Sequence, residues 1–374
     1  MQKKSYLIVT ASIGSGHVKA AEAIEHELRR QYPAASVHTV DFMARETSLL
    51  NWLMKEIYLK MLAFVPNLYE FLYKFSGGHT GGTLVQRALA FVMQWNMAGL
   101  IRKYQPQAVI CTHPFPEGAA SCLKQSGRYD FLFATVMTDF SVHQIWLYPA
   151  VDLFFVATEQ MKQDLLQAGF EAASIHVVGI PIDCPQTGEC SRQDILQRLG
   201  LDPEVPVLLL MGGGLGLGGI DAALAELDQL VRPVQFLVVA GKNEALAAKA
   251  RELAAASRHR ILVWGYTHEV PAFMMATTLL ISKPGALTIS EALAMHVPLL
   301  LHEPIPGPET ENAVYVSERG AAVWVRPKDD LLQIVSELLQ SPERQQAMRE
   351  AAAVWCRPEA AKNMVGILSE KEKK

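Results

Sequence analysis

Two side chains that could move a proton follow predicted strands in the first half of the chain. His17 ends a glycine turn, Gly14-Ser15-Gly16, behind the apolar run Tyr6–Thr10, and Asp139 comes shortly after the apolar run Phe131–Val136. Imidazole and carboxylate groups are common general bases, and a histidine at the mouth of a glycine turn can also hydrogen-bond a substrate. We therefore expect a catalytic site that contains both residues. The alternatives are that His17 only caps its helix and that Asp139 only forms a turn.

Three glycine-containing turns could bind an anionic ligand. Glycine lets the backbone turn sharply and lets a phosphate approach the N–H groups at the start of a helix. The first is Gly14–Gly16, the second, Gly212–Gly219, holds six glycines within eight residues, and the third is Lys283-Pro284-Gly285. The second turn follows a strand and precedes a helix, which favours a diphosphate site over a flexible connector. No GxxxxGK[ST] motif occurs, so none of the turns is a nucleoside-triphosphate P-loop.

The first glycine turn matches a dinucleotide-binding fingerprint only in part. The fingerprint requires Gly or Ala three residues after Gly16, and Lys19 stands there. Asp41, at the end of the next predicted strand, does imitate the carboxylate that binds the ribose of NAD. NAD binding therefore stays an alternative, and we expect that the protein uses no cofactor.

The third turn opens the longest and most specific motif, Ser282-Lys283-Pro284-Gly285-Ala286-Leu287-Thr288-Ile289-Ser290-Glu291-Ala292-Leu293-Ala294. Pro–Gly ends a strand and a helix starts at once, so Glu291 falls in the second turn of that helix. A carboxylate there can accept two hydrogen bonds from a ribose diol, while the helix N-terminus faces phosphate oxygens. The next loop, 304–312, offers Glu309 and Asn312 to sugar hydroxyls. An isolated buried Glu is more often a paired structural group, but two such loops in tandem favour a ligand.

Apolar runs alternate with helical stretches along the whole chain, which predicts an α/β fold. Many of these runs are apolar on both faces, as a parallel sheet covered by helices requires. The first six predicted strands are Tyr6–Thr10, Val37–Asp41, Ala108–Cys111, Phe131–Val136, Leu153–Val156 and Ile175–Val178. The second six are Val207–Met211, Val234–Ala240, Ile261–Trp264, Leu279–Ser282, Pro298–Leu301 and Ala322–Val325. We predict two doubly wound, Rossmann-like domains whose ligand-binding strand ends face a shared cleft.

The motifs together resemble a known group, the GT-B glycosyltransferases of the monogalactosyldiacylglycerol synthase and processive diacylglycerol glucosyltransferase type, which is related to glycosyltransferase family 28. The resemblance extends over nearly the whole chain. It rests on the GxGH turn, the segment Thr138-Asp139 with His143 and Trp146, the KPGALTxSEALA helix and the PIPGxE loop that ends at Asn312. A more distant similarity is to the peptidoglycan N-acetylglucosaminyltransferase that makes lipid II.

The resemblance implies an inverting transfer of a hexose from a UDP-sugar. Glu291 would then hold the ribose, Glu309 and Asn312 the hexose, and Tyr266 the uracil. The full set of implied donor-binding residues is Gly213, Gly214, Tyr266, Gly285, Ala286, Leu287, Thr288, Glu291, Glu309 and Asn312. Many relatives carry Gln where this chain has Pro308, so the preference for one hexose is not carried over.

The resemblance also implies roles for the first domain. The resemblance favours Asp139 over His17 as the base, and His17 would position the acceptor or the donor phosphate. Gly14, Gly16, His143 and Trp146 would form the acceptor loop. No Asp-x-Asp motif occurs in the sequence, so we expect no bound metal, and helix dipoles with loop N–H groups would stabilise the leaving diphosphate.

The segment 49–75 indicates a lipid acceptor. It repeats apolar residues at helical spacing, carries lysines between them and holds seven aromatic residues from Trp52 to Phe75. This composition is typical of an element that dips into an anionic bilayer surface. Trp52, Tyr58, Phe64 and Phe71 are the predicted membrane contacts, and diacylglycerol is the expected acceptor. The alternative is a pair of ordinary buried helices.

Composition sets the remaining expectations. The formal net charge is −4, and no Lys/Arg run occurs, so a nucleic-acid partner is not expected. The five cysteines are scattered and none stands in CxxC spacing, which favours a reducing cytoplasm, and we expect peripheral membrane association there. The expected domains are 1–180 for the acceptor and membrane, 181–345 for the UDP-sugar, and 346–374 as helices that cross back. Rival functions are a UDP-sugar 2-epimerase, a non-catalytic UDP-sugar-binding protein and a glycosyltransferase with a small soluble acceptor.

Overall fold

The computed structural model describes residues 4–44, 48–49, 51–53, 56, 81–183, 191–305 and 307–371, and for residues 81–89 it describes the backbone alone. The chain divides into two compact units. Unit 1 is Met1–Asp183 with Pro358–Lys374, and unit 2 is Cys184–Arg357. The expected boundary at 345/346 differs from the one observed, because the helix that spans it contributes Met348 to the core of unit 2.

Each unit contains one parallel six-stranded sheet, and all twelve predicted strands are confirmed. In unit 1 the strands are β1 (Ser5–Thr10), β2 (Ser36–Asp41), β3 (Ala108–Cys111), β4 (Leu132–Val136), β5 (Leu153–Val156) and β6 (Ile175–Val177). In unit 2 they are β7 (Val207–Met211), β8 (Gln235–Val239), β9 (Arg260–Trp264), β10 (Leu279–Ser282), β11 (Leu299–Leu301) and β12 (Ala322–Trp324). The α/β fold class is therefore confirmed.

The order of the strands creates one switch point in each sheet. The first sheet runs β2-β1-β3-β4-β5-β6 and the second runs β12-β11-β10-β7-β8-β9. The chain therefore leaves β1 toward β2 on one side and returns to β3 on the other. It likewise leaves β7 toward β8 and returns to β10. Ligands of open α/β sheets bind outside the carboxyl ends of the strands at such reversals.

Helices cover the sheets, and their buried faces carry the small and branched apolar residues of the two cores. The described helices of unit 1 are α1 (Ser15–Gln31), α2 (Gly81–Tyr104), α3 (Pro114–Gln125), α4 (Glu159–Gln167) and, at the end of the chain, α13 (Ala360–Lys371). Those of unit 2 are α5 (Arg192–Leu199), α6 (Ile220–Leu227), α7 (Glu244–Ala256), α8 (Val270–Ala276), α9 (Ala286–Ala294), α10 (Pro308–Glu318), α11 (Leu331–Gln340) and α12 (Pro342–Trp355).

The last helix returns the chain to the first unit. On α13, Met364, Val365 and Leu368 are fully buried in the same core cluster as Ile8 and Ile24. Burial of several apolar side chains of this size stabilises the contact by several kcal/mol in total, at about 1.5–3 kcal/mol for each side chain. None of the helices in the described ranges is long and apolar enough to cross a membrane.

Candidate active site

The switch point of unit 1 brings the glycine turn after β1 against the end of β3. His17 is the third residue of α1, and Gly14 precedes that helix with a φ of 103°, a conformation that favours glycine. The Thr112 hydroxyl donates to the His17 carbonyl oxygen at 3.0 Å, and the Thr112 carbonyl oxygen lies 2.8 Å from His17 Nδ1. Two bonds between neighbouring strand ends thus fix both the backbone and the ring of His17.

The partner of Nδ1 determines the tautomer of His17. A carbonyl oxygen only accepts hydrogen bonds, so Nδ1 carries the hydrogen and Nε2 keeps its lone pair. Burial lowers the pKa of His17 to about 4, against a smaller opposing effect of the bond to Thr112. The ring is therefore neutral near pH 7, and Nε2 can accept a hydrogen bond from a hydroxyl group.

We predict that His17 stays neutral far below the ordinary histidine range. In an NMR titration its ring signals should be constant from about pH 8 to pH 5 and move with a midpoint of about 4. Because the folded pKa lies below the ordinary value of 6.5, this residue contributes stability above pH 6.5 that is lost as the pH falls toward 4. The signals are assigned by their loss in His17→Gln. A midpoint near 6.5 would show that the ring is not buried as described.

Asp139 comes next in the chain after a residue that contacts His17. It follows β4 directly after Thr138, whose hydroxyl oxygen is 2.7 Å from His17 Nδ1. The ring of Trp146 is buried with its centroid 6.4 Å from that of His17, and His143 accepts a hydrogen bond from the Ile145 N–H at the start of a short helix. Of the residues of the expected acceptor loop, Trp146 therefore lies near His17, and Gly14 and Gly16 belong to the turn that bears His17.

Two buried titratable groups beneath this loop were not predicted from the sequence. His113 packs edge-on against His17 at 4.5 Å between ring centroids, and burial, with His17 as a smaller cause, lowers the pKa of His113 well below its usual range. Glu117 on α3 is fully buried, and burial raises its pKa well above the usual range despite a 2.8 Å bond from the Thr135 hydroxyl. His113 is therefore neutral near pH 7, and burial favours the protonated form of Glu117. The sequence signal that could have indicated His113 is Thr-His-Pro directly after an apolar run.

Asp41, which imitates the ribose carboxylate of an NAD site, contacts the residues that lead into the glycine turn. Its Oδ1 accepts hydrogen bonds from the backbone N–H groups of Ser12 at 3.1 Å and of Met43 at 2.9 Å. The carboxylate therefore holds the loop after β1 in place, which gives it a role in the architecture of the turn.

The switch point of unit 2 holds the second glycine loop in a closed turn. Within it the Leu217 N–H donates to the Gly212 carbonyl at 3.0 Å and the Gly216 N–H to the Gly213 carbonyl at 3.1 Å. Outside it the Lys242 N–H and the Asn243 side chain donate to the carbonyls of Gly214 and Gly216. The loop is thus fixed to the end of β8 by hydrogen bonds and is not a loose connector.

Lys283, which the sequence motif contains but the predicted ligand set omits, lies across this loop. A Cβ built on Gly213 would be 3.3 Å from Lys283 Cε, and one built on Gly285 would be 3.3 Å from its Nζ. The ammonium forms an ion pair with Glu309. A lysine at the start of the third glycine turn was the sequence signal that could have identified it, since ammonium groups bind phosphates as point charges.

The remaining predicted donor residues are distributed around these loops. Ala286, Leu287 and Thr288 form the first turn of α9, and Glu291 is its sixth residue, in the second turn as expected. Tyr266 follows β9 with its ring 47% exposed, and Lys242 Nζ lies 5.7 Å from the ring centroid. An exposed ring of this kind can stack on a base.

Asn312 has a different environment from Glu309. It is fully buried, and its amide donates to the Pro284 carbonyl oxygen at 3.2 Å, which ties α10 to the loop before α9. Its contact with a hexose stays a prediction.

Three of the four predicted membrane contacts, Tyr58, Phe64 and Phe71, lie outside the described residues, and Trp52 is half-buried. Within the described ranges, no three His, Cys, Asp or Glu side chains meet in a way that could hold a metal ion.

Comparisons with known proteins match the two halves of the chain to two different families. Residues 17–182 match the family described as monogalactosyldiacylglycerol (MGDG) synthase, and residues 207–364 match the glycosyltransferase family 28 C-terminal domain. A processive diacylglycerol beta-glucosyltransferase of Bacillus cytotoxicus is 31% identical over 97% of this chain and 93% of the relative. The enzyme of that name from Bacillus mycoides is 32% identical over 97% and 92%.

Solved structures show the same fold at low sequence identity. Acinetobacter baumannii MurG superposes with a TM-score of 0.62 at 16% identity, over 98% of this chain and 99% of that one. The UDP-GlcNAc 2-epimerase of Neisseria meningitidis, bound to UDP-GlcNAc, gives 0.60 at 14% identity over 98% and 99%. These similarities identify the GT-B fold, in two domains, for this chain.

Proposed function

We propose a lipid-glycosylating function from the premise that the chain belongs to the diacylglycerol glycosyltransferases, with a monogalactosyldiacylglycerol synthase domain followed by a family 28 C-terminal domain. It is a glycosyltransferase enzyme. The reaction is the transfer of a hexose from a UDP-sugar to a lipid hydroxyl, with diacylglycerol as the acceptor. The observation that carries this proposal is the match to processive diacylglycerol beta-glucosyltransferases over 97% of the chain.

Unit 2 serves the donor in this proposal. The closed glycine loop and the first turn of α9 offer backbone N–H groups to the diphosphate. The exposed ring of Tyr266 stacks on the uracil base. Glu291 holds the ribose diol from the second turn of α9. Glu309 binds the hexose, whose identity is left open because Pro308 replaces the family's Gln.

Unit 1 serves the acceptor. The acceptor oxygen forms a bond to C1 of the hexose while the bond from C1 to the UDP oxygen breaks, and the configuration at C1 inverts. The proton of the hydroxyl passes to Asp139, and His17 positions the acceptor beside that carboxylate. The lowered pKa of His17 supports this assignment, because a ring with a pKa of about 4 is a poor proton acceptor near pH 7.

A lipid acceptor requires part of the enzyme to rest on a bilayer, and the described residues of unit 1 include an apolar patch. It consists of Leu49, Leu53, Phe91, Val92 and Trp95, of which Phe91 is 63% and Trp95 70% exposed. The Asn96 side chain donates to the Ser48 hydroxyl at 2.8 Å, which holds α2 beside the segment that bears the two leucines. We assign this patch to peripheral contact with an anionic membrane surface.

Replacing Phe91 and Trp95 together with Ser should weaken binding to anionic vesicles by about tenfold or more. The reason is the loss of apolar area, since an aromatic side chain contributes about 1.5–3 kcal/mol when it is buried. Cosedimentation with vesicles measures the binding, and transfer to vesicle-borne diacylglycerol should fall with it while UDP affinity stays unchanged.

The matched control replaces Val231 and Val354, which are 90% and 65% exposed in unit 2, with Ser. It should bind vesicles as the wild type does. A Phe91/Trp95 variant that stays folded and binds vesicles with undiminished affinity would exclude the patch as the membrane contact.

A further inference from the structure

Lys283 and Glu309 form an ion pair at the switch point of unit 2. The Lys283 side chain runs past the second glycine loop, because a Cβ built on Gly218 would lie 3.0 Å from Lys283 Cβ and one built on Gly213 would lie 3.3 Å from its Cε. The ammonium ends near Gly285, at the start of α9. Its side chain is 16% exposed. This places a positive charge between the two loops that the donor diphosphate requires.

Glu309 holds that charge. One of its carboxylate oxygens forms the ion pair with Lys283, and the other accepts a hydrogen bond from the Ile305 N–H at 2.9 Å. Glu309 lies in the first turn of α10 and is 14% exposed. The two loops of the donor site are therefore joined through a carboxylate and an ammonium that are both largely withdrawn from water.

We propose that Lys283 binds the donor diphosphate and that Glu309, its ion-pair partner, is released for the hexose when the nucleotide arrives. The inference rests on the proposed function, because it deepens the donor side of the same site. The Lys283 ammonium thus leaves the Glu309 carboxylate and binds the diphosphate. Lys283 then recognises the diphosphate of the donor, and Glu309 recognises its sugar.

The exchange follows from the charges. An ammonium has three N–H donors that rotate freely, unlike the rigid guanidinium of arginine. It can therefore leave a carboxylate for a diphosphate of higher charge while the backbone stays in place. Without Lys283 between them, the Glu309 carboxylate and the diphosphate would repel each other across a site largely withdrawn from water. Once the ammonium turns to phosphate, Glu309 gains free lone pairs and can accept hydrogen bonds from hexose hydroxyls.

Calorimetry with uridine and with UDP tests the role of Lys283. Lys283→Gln should weaken UDP binding by about 10- to 100-fold, the range of a hydrogen bond between charged groups, and should leave uridine binding unchanged. Lys283→Arg keeps the charge and should restore most of the UDP affinity. Lys249→Gln, which breaks the exposed pair with Asp221 on the same unit, is the matched control and should bind both ligands normally.

Glu309→Gln should have the opposite signature. It frees the ammonium, so UDP should bind as tightly as to the wild type or a few-fold more tightly. The affinity of UDP-glucose and UDP-galactose relative to UDP should fall by about tenfold for whichever is the donor, because an amide is a weaker acceptor than a carboxylate. A residue with a merely structural role would change the binding of UDP, UDP-sugar and uridine alike.

The inference is overturned if Lys283→Gln binds UDP with the affinity of the wild type, or if its uridine affinity falls as much as its UDP affinity. It is equally overturned if Glu309→Gln lowers the UDP affinity as much as Lys283→Gln does. It is also overturned if the wild type gains no affinity from the diphosphate when UDP is compared with uridine. The proposed function is scored separately, by transfer from UDP-hexose to diacylglycerol. A wild type that binds UDP through Lys283 but glycosylates no lipid would refute that function and leave the ion-pair exchange intact.

Discussion

Asp139→Asn should lower the turnover of sugar transfer by about 10²- to 10⁴-fold, the usual contribution of a general base. An amide has the shape of the carboxylate but does not accept the proton of the acceptor hydroxyl. Asp139 follows β4 in unit 1, whereas the donor residues belong to unit 2, so UDP affinity should not change. Steady-state kinetics with vesicle-borne acceptor and calorimetry with UDP measure the two quantities.

Asp130→Asn is the matched control for this result. Asp130 is exposed and lies just before the amino end of the same strand, β4, so its amide variant should keep full activity. If His17→Ala is inactive and Asp139→Asn is nearly normal, the two roles are reversed and His17 is the base.

Gly212→Ala should abolish measurable donor binding, a loss of at least about 100-fold, or about 2.7 kcal/mol. A Cβ at this position would lie under 3.0 Å from the carbonyl oxygen and the nitrogen of Leu217. These are backbone atoms that cannot rotate away, and the nitrogen donates the hydrogen bond to the Gly212 carbonyl that closes the loop. The substituted loop must therefore open, and its N–H groups lose the arrangement that receives a diphosphate. Calorimetry with UDP measures the loss.

Gly366→Ala provides the comparison, since Gly366 lies within α13 and a Cβ there meets no atom within 4 Å. It should bind UDP normally and unfold with a free energy unchanged or raised by about 1 kcal/mol or less. A folded Gly212→Ala variant that binds UDP within about threefold of the wild type would show that this loop does not hold the diphosphate.

The strands could be predicted because burial on both faces leaves an unmistakable pattern. Runs such as Val207–Met211 are apolar at every position, as only a strand covered by helices on both sides requires. The observed ends differ from the predicted ones by at most one residue, for example at Gln235–Val239, where the flanking Val234 and Ala240 pack in the core without joining the ladder.

The composition of the two sites could be predicted only in part, because strand order is not written in the local sequence. His17 and Asp139 were predicted from their positions after strands, and in the structure they follow β1 and β4. The contact of His17 with Thr112, which sets its tautomer, depends on β1 lying next to β3. The approach of Lys283 to the glycine loop likewise depends on β10 lying next to β7. Pairings of this kind join segments that are far apart in the chain.

Polar residues near a site were the least predictable, because a side chain can contact a ligand or the loop that holds the ligand. Asn312 is an example, since its amide binds the Pro284 carbonyl inside the protein. Asp41 is another, since its carboxylate binds two backbone N–H groups of the chain itself. Sequence patterns give the residue type and the place, but the direction of the side chain follows from packing.

Incubation of the purified protein with radiolabelled UDP-hexoses and vesicles that contain diacylglycerol tests the central claim most directly. With one of the UDP-hexoses, label should pass into a lipid that organic solvent extracts, with the anomeric configuration opposite to that of the donor, and transfer should require the diacylglycerol. Label that stays in water, either as unchanged nucleotide or as an epimer of the UDP-sugar, would contradict the account.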